Sequence, residues 1–330
     1  MRQAAISLRE RAALKFISLI AVLAGVFLAA CATIPPAGVD RTGRLRETAN
    51  LIDDVKAFGK TLGIEPTPAL SRTSQEGPAL SMLWLWLQRA GTLALRTPID
   101  IRMAIGFNTE QERLRIEQVY RVDGYSVYYR QGSEFADARA VATVGFAAEP
   151  EVRRAMVVLH EDLHGDANFN LPWEIEEAIV TPLGWLGALA YFRERGNDTS
   201  WKSALAAVDE GRKLSRELNA LATEAGQIFA TMPLDEAKKT ILDEMARYPT
   251  YRRQFERQTR GQHPPTVLEA KLSHDLAYYR FFETIAALAE SAPDLKTLIG
   301  DLKKLPGDAT AGSTEKFLRD LQSRYTRVAN

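Results

Sequence analysis

The chain has 330 residues, 46% of them hydrophobic and 25% charged, enough to bury one large core or two modest ones. Its 42 basic residues balance 42 acidic ones, so no basic surplus points to nucleic acid. With one cysteine, no structural disulfide can form within the chain.

Arg2, Arg9, Arg11 and Lys15 precede an apolar run from Phe16 to Ala30 that contains no acidic residue. This is the charged-then-apolar layout of an export signal, and the run is shorter than a membrane-spanning helix needs. It ends in Leu28-Ala29-Ala30-Cys31, which resembles the lipobox of bacterial lipoproteins. That resemblance implies that residues 1–30 are removed and that Cys31 is diacylated, anchoring the mature chain to a membrane of the bacterial cell envelope. Ala32 is not the aspartate that commonly retains such proteins at the inner membrane, so the implied address is the outer membrane, facing the periplasm.

Thr33 to Thr42, with Pro35-Pro36 and Gly38, reads as a tether, and Leu45 to Leu62 has helical spacing. A polar break from Pro66 to Gly77 leads to an apolar segment, Leu80 to Leu95. Trp84 and Trp86 within it are read as core residues; contact with a membrane is the other reading of the pair. Between Ile99 and Phe146 the pattern alternates. Val119-Tyr120-Arg121-Val122 and Tyr125-Ser126-Val127-Tyr128 flank Asp123-Gly124, a two-residue hairpin signal. A further extended run, Arg139 to Phe146, leads into the next helix.

That helix is predicted from Pro150, whose missing donor suits a first turn, through Val152, Met156, Leu159 and Leu163 at helical spacing, to a left-handed cap at Gly165. Its last two turns carry His160-Glu161-Asp162-Leu163-His164, half of the chain's four histidines. Histidines four apart project from one face of a helix, and Glu161 can reach a water held between them. A third ligand can come from the acidic cluster Glu174, Glu176 and Glu177. If the segment from Pro172 is helical, Glu177 shares a stripe with Glu174, Thr181, Gly184 and Ala188, whose small side chains let two helices approach closely enough to share a metal. Three protein ligands leave a fourth position for water.

Glu177-Ala178-Ile179-Val180-Thr181-Pro182-Leu183-Gly184 is similar to the second metal-binding segment of gluzincin peptidases, the thermolysin-like clan. The resemblance implies one zinc ion per chain, held by His160, His164 and Glu177, with Thr181 placed to accept a hydrogen bond from a ligand histidine. The spacing between His164 and Glu177, with Phe169-Asn170 inside it, resembles a family of bacterial aminopeptidases, many of them lipoproteins. That family has Asn-Glu where this chain has Glu176-Glu177, and its downstream Asn-Asn-Ala segment is matched here only by Leu268-Glu269-Ala270-Lys271-Leu272 and Tyr278. The zincin shape further implies that Arg139 to Phe146 is an edge strand pairing with substrate, an interior strand being the alternative.

After Asn197-Asp198-Thr199-Ser200, rich in capping residues, the chain reads as helical almost to its end, with Leu205 to Leu221, Leu242 to Tyr248 and Val267 to Leu288 as helical runs. His274 and Tyr278 share a helical face and are candidates for stabilising a developing oxyanion, against the plainer reading of two partly buried helix residues. Asp166 is a candidate to orient a ligand histidine; His263 is given no role.

The expected fold is α+β and mostly α-helical. A lipid-anchored tether and N-terminal helix (31–78) would precede a zincin-like catalytic core with a small sheet (79–196) and a helical C-terminal region (197–330). The expected function is zinc-dependent hydrolysis of a peptide or protein substrate with Glu161 as general base. The alternative is a non-catalytic helical envelope lipoprotein that binds zinc or a protein partner.

Overall fold

The structure, a computed structural model, describes residues 41–76, 82–95, 100–105, 124–132 and 136–329. The segment expected to be an export signal, Cys31 and the segment Val119-Val122 expected to be a hairpin strand lie outside them. The described protein is mostly α-helical with one three-stranded and one two-stranded sheet, the expected α+β class.

Helix α1 (Arg41–Thr61) buries Leu45, Thr48, Ile52 and Val55, spaced three and four apart so that they form one stripe. In the three-stranded sheet, β2 (Met82–Arg89) lies between β3 (Asp100–Ile105) and β4 (Tyr125–Gly132), antiparallel to both. Side chains alternate across a strand, so Trp84, Trp86 and Tyr128 join the main core while Leu85 and Leu87 pack with Tyr125, Val127 and Tyr129 on the other face. Trp84 and Trp86 are each 1% exposed, which makes them core residues. Gly124, ahead of β4, has φ +78 and accepts a bond from Ala90 N at 2.9 Å, the positive φ its predicted turn needs.

Arg139 to Phe146 does not form the expected edge strand. Only β5 (Ala142–Thr143) is extended, paired in parallel with β1 (Thr73–Ser74). The Thr143 hydroxyl then accepts from Phe146 N at 3.1 Å and caps a short helix, α2 (Val144–Ala148). The local cap ends the strand.

Helices α3 (Glu151–Leu163) and α4 (Trp173–Glu194) follow. Helix α4 is buried on all sides from Ile175 to Ala188, as a helix apolar all round must be, and α3, α5 (Asp198–Thr231), α8 (Pro264–Tyr279) and α9 (Phe282–Ser291) pack around it. Asn197 caps α5 by accepting from Ser200 N at 3.1 Å. Helix α6 (Leu234–Glu244), a 3-10 turn (Met245–Arg247) and α7 (Pro249–Gln258) connect α5 to α8. The run from Val267 to Leu288 is thus two helices, α8 and α9, broken at Arg280-Phe281. Helices α10 (Leu295–Leu302) and α11 (Ala311–Ala329) complete the described chain. Among the described residues no helix is long and apolar enough to cross a membrane.

Helices α3 and α4 touch through glycine. A Cβ on Gly187 would lie 2.8 Å from Leu159 Cδ1, and one on Gly184 would lie 3.2 Å from both His160 Cβ and Met156 O. Gly184 belongs to the small-residue stripe expected beside Glu177, and Gly187 adds a contact outside that stripe.

Candidate metal centre

Helix α3 starts at the Pro150 N-cap with Glu151 in its first turn, and His164 is its C-cap. Gly165 is not the left-handed cap: it is not among the residues with positive φ, and its N donates to Asp162 O at 3.1 Å. A Cβ there would lie 3.0 Å from Thr67 Cγ2 and 3.2 Å from Asp162 O, so close approach, rather than φ, favours glycine.

The two imidazoles present Nε2 atoms 3.2 Å apart. Glu177 Oε2, from α4, stands 3.4 Å from His160 Nε2 and 3.5 Å from His164 Nε2. Ligand atoms about 2.0–2.1 Å from a tetrahedral metal are separated by roughly 3.3 Å, so these three spacings match one face of such a tetrahedron. His160, His164 and Glu177 are 3%, 7% and 0% exposed, and this buried group could hold a metal ion. Neither oxygen of Glu177, nor His160 Nδ1, has a hydrogen-bond partner. Buried polar atoms are rarely left so, and for the carboxylate a coordinated cation would answer the deficit.

Glu176 has a different task. Its Oε1 accepts from His164 Nδ1 at 2.7 Å, which fixes that proton on Nδ1 and turns the Nε2 lone pair inward, while Oε2 accepts from Leu171 N at 3.3 Å. The two candidates for orienting a histidine do not do so. Asp166 is solvent-exposed, and the Thr181 hydroxyl, fully buried, has no hydrogen-bond partner. A carboxylate one residue before the ligand does the work assigned to them.

Charge at the centre is tightly paired. Burial opposes the charged form of His164, but Glu177 and Glu176 outweigh it and raise its pKa to about 10. Burial likewise pushes Glu177 up, and the two histidines outweigh it, holding it at about 2. Burial lowers His160, with Glu177 only partly offsetting it. Without metal, His164 therefore carries a proton at neutral pH. That proton stabilises the fold fully below about pH 6.5, and the contribution is lost as pH rises towards about 10. A metal must displace it, so metal affinity rises over the same interval. Calorimetry at pH 7 in buffers of different ionisation enthalpy should show about one proton released per ion bound; no release would contradict the charged histidine.

The loop between the ligand helices is held from both ends of the described chain. Asp162 Oδ1 accepts from Lys56 Nζ at 2.5 Å and from Thr67 N at 2.9 Å. Asn168 exchanges two bonds with the Glu65 backbone, donates to Asp162 O at 2.7 Å, and accepts from Lys303 Nζ at 2.9 Å. Apart from the bond between Asn168 and Asp162, none of these partners was legible as such, because they join residues distant in sequence.

Glu161 is 2% exposed, next to the first ligand. His274 and Tyr278, 3% and 1% exposed, lie in an aromatic cluster: the His274 ring centroid is 4.6 Å from Trp86, 5.1 Å from Tyr128 and 4.9 Å from Tyr278, and Tyr278 is 6.1 Å from Trp173. Burial, and then the negative charges of Glu177 and Glu161, raise the Tyr278 hydroxyl well above its ordinary range, so it keeps its proton. His274 Nδ1 lies 2.8 Å from Asp275 Oδ1, a bond that needs the proton on Nδ1. Burial lowers its pKa to about 4 despite Asp275, so at neutral pH its Nε2 is an acceptor and not a donor. Asp275 is also bonded by the buried Lys271 and by Tyr251 at 2.9 Å, which share its charge. This network escaped the sequence reading; Lys271 and Asp275 on one buried helix face was its only trace.

Compared with known proteins, the chain matches no family model, no curated protein and no solved structure.

Proposed function

We propose that this chain is a zinc-dependent metallopeptidase, anchored through a lipid on Cys31 to the cell envelope. The observation that carries the reading is the convergence of His160, His164 and Glu177 on one point, with Glu161 buried beside them and outside the ligand set. Two imidazoles and a carboxylate at near-tetrahedral spacing suit zinc. When bound, such an ion supplies Lewis acidity, polarising a carbonyl and acidifying water. Glu161 takes the proton of the attacking water and passes it to the leaving amine. Tyr278, which keeps its proton, is the better candidate to donate to a developing oxyanion; neutral His274 presents a lone pair instead. Glu176 keeps His164 in the tautomer that binds metal.

The second reading, a lipoprotein that holds metal without turnover, draws on the burial of all three ligand side chains, which also suits a closed structural site. One experiment separates them. The full chain should contain about one zinc and cleave unblocked peptides. Equal cleavage of N-acetylated peptides would remove the aminopeptidase assignment, metal without cleavage would favour the second reading, and no metal after loading would sink both.

A further inference from the structure

Helix α7 places Thr250, Arg253, Gln254 and Arg257 on one face, and Arg260 follows just beyond its end. A cavity of about 360 Å³ opens there, lined by these residues with Glu256 and with Glu210 of α5. That is within the size range of small-molecule sites, about 300–1,000 Å³.

The charges lining it are unbalanced. Glu256 accepts from Arg252 Nε at 2.7 Å, which ties up its carboxylate. Among the described residues Arg253, Arg257 and Arg260 have no ion-pair partner, whereas Arg195, Arg212, Arg216 and Arg247 all do. Three guanidinium groups therefore face one uncompensated carboxylate, Glu210.

A second observation is independent of charge. Thr250 is 2% exposed and its hydroxyl has no hydrogen-bond partner, and Arg257 Nε is buried without one. Both can donate, and they share one wall. Buried donors without acceptors are costly unless a ligand completes them. The backbone at the start of α7 is not what is left over, since Thr250 N and Tyr251 N both donate to Glu217 Oε2, at 2.7 and 2.8 Å.

We infer that this cavity is a second binding site, taking a phosphate-type oxyanion on Arg253, Arg257 and Arg260 with the Thr250 hydroxyl. Such a ligand is rich in acceptors, carries the opposing charge, and matches the planar donor fork of arginine. The chemistry is shared by free phosphate compounds and by phospholipid headgroups. None of the lining residues belongs to the metal cluster, so the site stands or falls separately from the peptidase reading.

The test is calorimetric titration of the full chain, in detergent, with inorganic phosphate and with a soluble short-chain phosphatidylglycerol. Saturable binding of either is expected, weakened about tenfold or more in Arg257→Gln and more modestly in Thr250→Val. Arg195→Gln, which alters an arginine paired with Asp54 and away from the cavity lining, should stay within about twofold. Unchanged thermal melts would show that the variants fold. Binding of phosphate alone identifies a free ligand, and binding of the lipid alone identifies a headgroup. Binding of neither, or an Arg195→Gln loss as large as that of Arg257→Gln, overturns the site.

Discussion

Glu161→Gln should retain its metal and lose its hydrolysis. The substitution keeps the shape of a side chain that is 2% exposed and lies outside the ligand cluster, so the centre is undisturbed. An amide cannot accept and return a proton, and general acid–base catalysis by a positioned carboxylate contributes about 10²–10⁴-fold. Turnover of a peptide substrate should fall by that order while zinc content stays level. A variant that hydrolyses at the wild-type rate would remove Glu161 from the reaction and with it the main support for a peptidase.

Glu177→Ala should fail in two separable ways. It deletes the third ligand, so metal content should drop from about one ion per chain to near none. It also deletes the carboxylate that outweighs burial in keeping His164 charged, leaving only Glu176 to support that charge. Removing one partner of a buried pair costs about 3–5 kcal/mol, so the metal-free variant should unfold at clearly lower denaturant than the metal-free parent. Glu177→Gln keeps the volume and should recover part of the stability with none of the metal. Full metal content in Glu177→Ala would transfer the third ligand to another carboxylate, Glu176 first.

Much of the centre was legible because it is local. The His160 and His164 spacing, the helix that carries them and the small stripe of α4 are properties of periodicity, and periodicity survives in a single sequence. The preference for Glu177 over Glu176 follows from the same stripe, and Gly184 against His160 shows the contact behind it. Three expectations failed where a local interaction or a neighbour overrode pattern. The Thr143 hydroxyl turned an alternating run into a helix, crowding by Thr67 explained Gly165, and Glu176 displaced Asp166 and Thr181 as the group that orients a histidine. The Lys271, Asp275 and Tyr251 network was hidden for another reason. Buried charges look like surface charges in a sequence until their partners are placed.

The bonds around Asn168 carry one more consequence, for the order of events during folding. All three ligands lie in a short stretch of chain, yet the loop joining them is fastened by residues 56–67 on one side and by Lys303 on the other. A chain that has emerged only as far as His164 or Glu177 has its ligands but lacks the Lys303 clasp. The full set of contacts around the loop exists only once the C-terminal helices have arrived, and on the proposed reading metal uptake by truncated chains ending before Lys303 should be weaker than by the whole chain.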